Sequence, residues 1–376
     1  MLENTYIDSK EQASVATELN EKQSDCNQKT REDSNIDDSV SNNGTENGVL
    51  LINNQIRNFQ TIRAPELIRF GPEQEVAIAC KDRVLRYNYS RDTCHNLKPT
   101  TVGDSCTAVS SLVFNNSTTG SSQLLVGHGD GVVRLWQSNT LTNVWQALYD
   151  PVSRTPSTAV AKGLVMSAYG KTLFTAGDAK YLRSWDLEAE QMIGDTPTGI
   201  DEPVTAIVCH NHHNVALGFA SGKIRIFDTR TNSRAASKTG YTPPILKSVR
   251  TMSVRNNQVT LVSASATGLV HVLDLRKLAI PLKQWSFDGE VSDVAIHDRL
   301  QLVAGAGELI DVRTIDGEEL YKIHRMEGTG GAGEGTKKRP PSCLVFHPNE
   351  ALICAGYNDN TAVLYADRSA SKHCKV

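Results

Sequence analysis

An internal repeat constrains the fold of this 376-residue chain more than any other feature. Each copy has an apolar run, a glycine or another small residue, a polar turn, and then alternating apolar residues that end on an aromatic residue in most copies. Seven copies align, and they close at Tyr87, Trp136, Trp185, Phe227, Leu273, Arg313 and Tyr365. The spacings of 49, 49, 42, 46, 40 and 52 residues indicate one structural unit repeated along the chain.

Each copy is typical of an antiparallel meander. The run before the glycine predicts a strand, and the alternating run predicts the next strand. A pair such as Asp130-Gly131 or Ser221-Gly222 predicts the tight turn between them. An upstream apolar run, for example residues 108–114, supplies an inner strand. One such sheet is only marginally stable, so the sheets must stack, and closing them into a ring hides most strand edges. Because WD repeats span ~40–45 residues, we predict an all-β, seven-bladed WD-repeat β-propeller over residues 53–376.

Residues 1–52 have a different composition from the rest of the chain. Residues 1–48 contain eleven Asp and Glu against four Lys and Arg, a net charge of −7, and the only aromatic residue of the segment is Tyr6. Such a segment buries too little apolar surface to offset its ordering entropy, so we predict a disordered acidic leader over residues 1–52. The remainder carries +4, which gives no strong electrostatic reason to bind nucleic acid or an anionic membrane.

Several functional classes leave no trace in the sequence. No apolar run approaches the ~20 residues of a membrane helix, and the N-terminus lacks the apolar core of a secretory signal. The eight cysteines include no C-x-x-C pair, which favours reduced thiols in a cytoplasmic protein. The G-x-S-x-G, H-E-x-x-H and Walker motifs are absent from the sequence. We therefore expect no catalytic residues, no metal and no cofactor.

Three stretches of the sequence resemble one family of propellers. Arg-Ser-Trp-Asp at residues 183–186 is followed by Ile-Gly-Asp-Thr-Pro-Thr-Gly at residues 193–199. Asp-Thr-Arg at residues 228–230 and Asp-Leu-Arg at residues 274–276 are similar to paired Asp-x-Arg blade ends. Ser-Cys-Leu-Val-Phe-His-Pro at residues 342–348 resembles the closing blade and is the most specific of the three.

The family is Raptor, the regulatory-associated subunit of TOR complex 1, and the match to its C-terminal propeller covers about residues 53–366. The resemblance implies a non-catalytic scaffold whose loop faces and central opening bind proteins, in nutrient-responsive growth signalling. It implies TOR-complex partners, and a cytoplasmic location with recruitment to a lysosomal or vacuolar surface through them. We expect no nucleic acid, no membrane insertion and no small-molecule substrate.

The chain also departs from the family. Raptor-like proteins have an N-terminal caspase-like domain without peptidase activity and a helical solenoid, and neither is recognisable in this sequence. We therefore expect a partial product, a split gene or an isoform. Substrate selection, which the resemblance assigns to those other regions, is not carried over to this chain.

Three consecutive cations, Lys337, Lys338 and Arg339, end a glycine-rich segment between two predicted blades. One interpretation is a docking element for an acidic partner. The alternative is a solvated linker, because short charge runs are usually just exposed. These three residues are the protein-interaction candidates that the sequence offers.

Two further clusters are weaker candidates. Gly328, Gly330 and Gly333 fit G-x-G-x-x-G, but a dinucleotide site needs a helix after the glycines, and Pro340-Pro341 follows instead. The run Cys-His-Asn-His-His at residues 209–213 offers zinc ligands, but adjacent residues cannot all converge on one ion. We interpret the first as a loop and the second as a polar turn.

The two Asp-x-Arg segments also resemble the Trp-Asp-x-Arg box of WD-repeat substrate receptors for cullin-type ubiquitin ligases. The tryptophan is missing in both, since Phe227 and Leu273 stand in its place. The alternative is that each aspartate satisfies turn backbone and pairs with its arginine at the blade end. A ubiquitin-ligase receptor is therefore the second functional hypothesis.

Overall fold

The computed structural model describes residues 51–72, 74–97, 108–116, 122–129, 131–137, 140–146, 164–178, 181–209, 213–230, 237–243, 248–254, 259–265, 267–297, 299–325 and 340–367. These residues form 28 strands in seven four-stranded antiparallel sheets. The predicted seven-bladed WD-repeat β-propeller is confirmed. Within the same residues, no helix is long and apolar enough to cross a membrane.

The strands of the first half are β1 (Ile52–Gln60), β2 (Leu67–Phe70), β3 (Glu75–Cys80), β4 (Arg83–Asn88), β5 (Thr93–Leu97), β6 (Val109–Asn116), β7 (Ser122–His128), β8 (Val132–Gln137), β9 (Thr140–Gln146), β10 (Val165–Tyr169), β11 (Thr172–Ala176), β12 (Tyr181–Asp186) and β13 (Gln191–Pro197). Those of the second half are β14 (Val204–Cys209), β15 (Asn214–Phe219), β16 (Ile224–Asp228), β17 (Ser237–Tyr241), β18 (Val249–Val254), β19 (Thr260–Ser265), β20 (Leu269–Asp274), β21 (Lys283–Ser286), β22 (Asp293–His297), β23 (Leu302–Ala306), β24 (Ile310–Thr314), β25 (Glu319–Ile323), β26 (Pro341–Phe346), β27 (Leu352–Tyr357) and β28 (Thr361–Asp367).

Six blades take four consecutive strands each, from β2–β5 to β22–β25, and the seventh is completed by the first strand of the described chain. Its order is β1-β28-β27-β26, with Gln60 opposite Thr361 and Ile52 opposite Asp367. Strand β1 also reaches the sixth blade, because the Ile52 amide donates a hydrogen bond to the Tyr321 hydroxyl at 3.2 Å. The ring is therefore closed by pairing between the two ends of the propeller.

All seven closing residues of the sequence repeat lie on the third strand of a blade. The turns before these strands are tight, and Gly131 and Gly222 adopt φ values of 82° and 85°, which glycine tolerates better than other residues. Most closing side chains are buried; Tyr365 and Phe227 are 0% and 1% exposed. Large buried side chains thus occupy most of the closing positions.

The sixth blade closes on a charge instead of an aromatic ring. The Arg313 side chain is only 8% exposed and lies 5.9 Å from the Trp285 ring centroid and 5.4 Å from that of Phe287. Both rings come from the end of the fifth blade, so the arginine packs across a blade boundary. Its Nη2 pairs with Asp288 at 2.5 Å and with Asp311 at 2.9 Å. Cation–π contacts and ion pairs thus replace the missing aromatic side chain.

The blades pack closely where small residues face a neighbour. A Cβ on Gly356 would lie 2.6 Å from both the Cys343 Sγ and the Pro65 Cβ. A Cβ on Gly218 would lie 2.7 Å from the Val249 Cγ1 of the next blade. Such distances leave no room for a side chain, so the small residue before the turn in the repeat is required by blade packing.

Candidate functional site

The three predicted interaction residues, Lys337, Lys338 and Arg339, lie outside the described residues, as do the glycines of the same segment. The structure describes both flanks of the segment, which joins β25 of the sixth blade to β26 of the seventh. On one flank, the Arg325 guanidinium pairs with Asp359 at 2.6 Å and lies 4.5 Å from the Tyr357 ring centroid. The segment therefore starts from an arginine held by the seventh blade.

The other flank is held by the sixth blade. The Ser292 hydroxyl donates a hydrogen bond to the Pro341 carbonyl at 2.7 Å. Pro340 and Pro341 also line a cleft of about 800 Å³ that extends over the connections of the sixth blade and reaches Asn358 of the seventh. The charged residues of its lining are four carboxylates and one ammonium group: Asp288, Glu290, Glu308, Asp311 and Lys322. An acidic cleft thus borders one flank of the predicted docking element.

The two Asp-x-Arg segments form the same local structure in neighbouring blades. Arg230 donates from Nε and Nη2 to the two carboxylate oxygens of Asp228, at 3.0 and 2.6 Å. Arg276 does the same to Asp274, at 3.1 and 2.8 Å. The predicted pairing at the blade ends is confirmed. Each arginine side chain stays mostly exposed, 62% for Arg230 and 74% for Arg276.

The same aspartates also cap the turn that follows the third strand. The amides of Arg230 and Arg276 donate to Asp228 and Asp274 at 3.1 and 2.8 Å. The hydrogen bonds from the arginine side chains lower the pKa of each aspartate to about 2. Both carboxylates are therefore ionised at neutral pH. Charged turn caps of this kind explain the aspartate that directly follows the closing residue in these two copies of the repeat.

Turn capping at this position extends to other blades. The amides of Ser90 and Glu188 donate to Asn88 and Asp186, and the Glu318 amide donates to the Thr314 hydroxyl. Because every blade has the same strand order, these turns all lie on one face of the ring. The acidic cleft is formed by connections on the opposite face, before the third strands begin. The two faces therefore differ in chemistry.

The zinc candidate is only partly within the described residues, because positions 210–212 lie outside them. Cys209 is the last residue of β14, and its amide donates to the Ser167 hydroxyl of the neighbouring blade at 3.2 Å. Burial raises the pKa of the Cys209 thiol to about 12.

The first strands of all seven blades line a central channel. Here Asp293 of the sixth blade accepts hydrogen bonds from the Nε of Arg250 in the fifth blade, at 2.9 Å, and from the Leu344 amide in the seventh, at 2.9 Å. Arg69 of the first blade also lies in the channel. Sequence reasoning missed this network, because its members are far apart in the chain and belong to no local motif.

Comparison with curated proteins finds TOR-associated relatives. The chain is 30% identical over 262 residues to regulatory-associated protein of TOR 1 from Arabidopsis thaliana, covering 65% of this chain and 19% of that protein. It is 22% identical over 323 residues to the target of rapamycin complex 1 subunit mip1 of Schizosaccharomyces pombe, covering 83% of this chain and 24% of that protein. The chain thus spans about a fifth to a quarter of these relatives.

The structure is also similar to a solved one. The crystal structure of Chaetomium thermophilum Raptor superposes with a TM-score of 0.71 at 23% identity, covering 84% of this chain and 29% of that one. No family model matches the sequence. The resemblance to the Raptor family, limited to its WD-repeat propeller, is confirmed by these comparisons.

Proposed function

We propose that this Raptor-like propeller is a non-catalytic scaffold that binds proteins of TOR complex 1 in nutrient-responsive growth signalling. The observation that carries the proposal is the similarity, over most of the propeller, to proteins whose names place them with TOR or in its complex 1. Because the chain spans only a fraction of those proteins, their partners come to it as part of the proposal. Its location is the cytoplasm, with recruitment to a lysosomal or vacuolar surface through those partners.

The architecture supports binding rather than chemistry. Four-stranded blades closed into a ring hold the described connections in place, and those of the two faces carry different charged groups. The paired arginines Arg230 and Arg276 project from one face, and the acidic cleft opens on the other. Surfaces with fixed, distinct charge patterns suit simultaneous contacts with several proteins. The proposal includes no nucleic acid, no membrane insertion and no small-molecule substrate.

The docking element of this scaffold is the basic run at residues 337–339. Lys337, Lys338 and Arg339 contact an acidic surface of a protein partner. Replacing all three by alanine should weaken retention of that partner on the full chain, measured by quantitative pull-down at moderate salt. The matched control is a triple alanine variant of the exposed cations Lys171, Lys283 and Arg91. Unchanged retention of every partner by the 337–339 variant would overturn this assignment.

The scaffold proposal is tested by mass spectrometry of the proteins that co-purify with the tagged chain from its own cells. TOR kinase recovered without any longer Raptor-like protein would support a propeller that joins the complex by itself. TOR recovered only together with a longer form, or not at all, would overturn it. Recovery of a cullin adaptor instead would favour the ubiquitin-ligase hypothesis for the Asp-x-Arg blade ends.

A further inference from the structure

The central channel is a polar cavity of about 440 Å³ at the middle of the ring. Three of its lining residues, Ser110, Thr205 and Arg250, are the bulged residues near the start of their first strands, at the same level in three blades. A β-bulge re-aims a side chain, and here it places polar groups in the channel. The cavity therefore combines a size suited to a small ligand with polar groups that converge from several blades.

The charged residues of the described lining are Arg69, Arg250 and Asp293. Asp293 uses one carboxylate oxygen to accept from Arg250 and the other to accept from the Leu344 amide. Both oxygens of the Asp293 carboxylate therefore already accept hydrogen bonds from the protein. Two guanidinium groups face one carboxylate, so the described lining has a net charge of +1.

Arg69 is the cation without a salt bridge among the described residues of the channel. Among the described residues, the Arg69 Nη1 donates a hydrogen bond to the carbonyl of the adjacent Ile68 at 2.8 Å. The residue is exposed on the wall of the channel. Burial lowers the pKa of the Arg69 guanidinium, Asp293 raises it, and the like charge of Arg250 lowers it further. An anion bound beside Arg69 would favour its charged form.

A further donor faces the same cavity. The Ser110 hydroxyl is buried and has no hydrogen-bond partner among the described residues. Buried hydroxyls are usually hydrogen-bonded, so the Ser110 hydroxyl has donor capacity that an anion bound beside it could use. Ser110 belongs to the second blade, next to the first blade that supplies Arg69.

We propose that the central channel contains an oxyanion-binding site in which Arg69 and Arg250 bind the oxygens of a carboxylate or phosphate group. A guanidinium offers two parallel N–H donors that match the spacing of such oxygens. Arg250 keeps Nε on Asp293 and presents its terminal nitrogens to the anion, and the Ser110 hydroxyl adds a neutral donor. The ligand class is a small anion that bears at least one of these groups.

The site is tested by thermal unfolding and titration calorimetry of the full chain with inorganic phosphate and with malonate, against sodium chloride at matched ionic strength. Arg69→Met removes the charge and keeps much of the side-chain volume. The wild type should bind at least one of the two probes saturably, and Arg69→Met should weaken that binding by roughly tenfold or more. Without a probe, Arg69→Met should unfold at about the same temperature as the wild type, because the Arg69 guanidinium has no salt bridge among the described residues.

The control variant is Arg276→Met, which removes an exposed arginine on the outer part of the fifth blade and should keep the full response. Phosphate also stabilises proteins by general exclusion from their surface, and that part of the response should survive in both variants. If only phosphate binds saturably, the site is assigned to phosphate groups. If only malonate binds saturably, the site is assigned to carboxylates. Equal responses of wild type and Arg69→Met, or no saturable binding of either probe, would overturn the proposal.

Discussion

The hydroxyl groups of Tyr357 and Tyr365 share a hydrogen bond of 2.7 Å inside the seventh blade. The two residues lie on β27 and β28 and are 2% and 0% exposed. Burial raises the pKa of both phenols, so each keeps its proton and one hydroxyl donates to the other. This buried pair lies beside the seam where β28 meets β1, which makes the closing blade sensitive to the loss of either partner.

Replacing Tyr365 by phenylalanine should lower the free energy of unfolding by about 1–3 kcal/mol, because the Tyr357 hydroxyl is left buried without a partner. The double variant Tyr357→Phe/Tyr365→Phe should lose less than the sum of the two single variants, since no hydroxyl is then stranded. Urea unfolding of the four proteins measures the coupling. Additive losses would contradict a shared hydrogen bond.

The seam itself depends on Phe59 of β1. This side chain is 5% exposed, and its ring centroid lies 4.9 Å from that of Tyr87 in the first blade. Phe59→Ala should therefore lower the free energy of unfolding by about 3–5 kcal/mol, the usual range for a buried phenylalanine. Asn58→Ala, at the exposed neighbouring position of the same strand, is the control and should change it by no more than ~0.5 kcal/mol. Equal effects in urea unfolding would show that β1 does not close the ring.

The repeat alone predicted the number of blades and the third strand of each, because the glycine turn and the closing residue recur at nearly constant spacing. It did not predict which strand completes the seventh blade. Strand β1 is rich in Asn and Gln, lacks the repeat pattern, and pairs with residues some three hundred positions away. Sequence patterns report local structure, whereas this pairing is decided by ring closure.

The channel network was beyond sequence reasoning for a related reason. Arg69, Arg250 and Asp293 come from three blades and carry no common motif, so only the ring brings them together. The Asp-x-Arg pairs could be predicted, since both partners lie within three residues of each other. Local chemistry is thus visible in a single sequence, and chemistry assembled by the ring is visible only in the structure.

The free energy of unfolding should fall as the pH is lowered, and the protonation of His347 should be one cause. Its Nδ1 accepts hydrogen bonds from the amides of Asn349 and Glu350 at 3.2 and 2.9 Å, and burial lowers its pKa below the usual 6.5. The pKa of His347 is lower in the folded state than in the unfolded state, so the neutral imidazole stabilises the fold above about pH 6.5. This stabilisation is lost as the pH falls toward the pKa of the folded state. His347→Gln should flatten this part of the profile in urea unfolding across pH values. The exposed His324→Gln control should keep the wild-type slope; identical slopes in all three would exclude the role.

Arg313 should be the most sensitive charged residue of the sixth blade. Arg313→Met removes a guanidinium that is 8% exposed and leaves Asp311, 15% exposed, without its ion pair. We expect a loss of about 3 kcal/mol in the free energy of unfolding, because a largely buried carboxylate is then uncompensated. Arg313→Lys should not restore it, since an ammonium cannot reach Asp288 and Asp311 in the same forked geometry.

The control is Arg230→Met, whose pair with Asp228 is mostly exposed on the arginine side and should contribute under ~1 kcal/mol. Urea unfolding of the three variants checks the order, and equal losses for Arg313→Met and Arg230→Met would show that burial does not strengthen the Arg313 pairs.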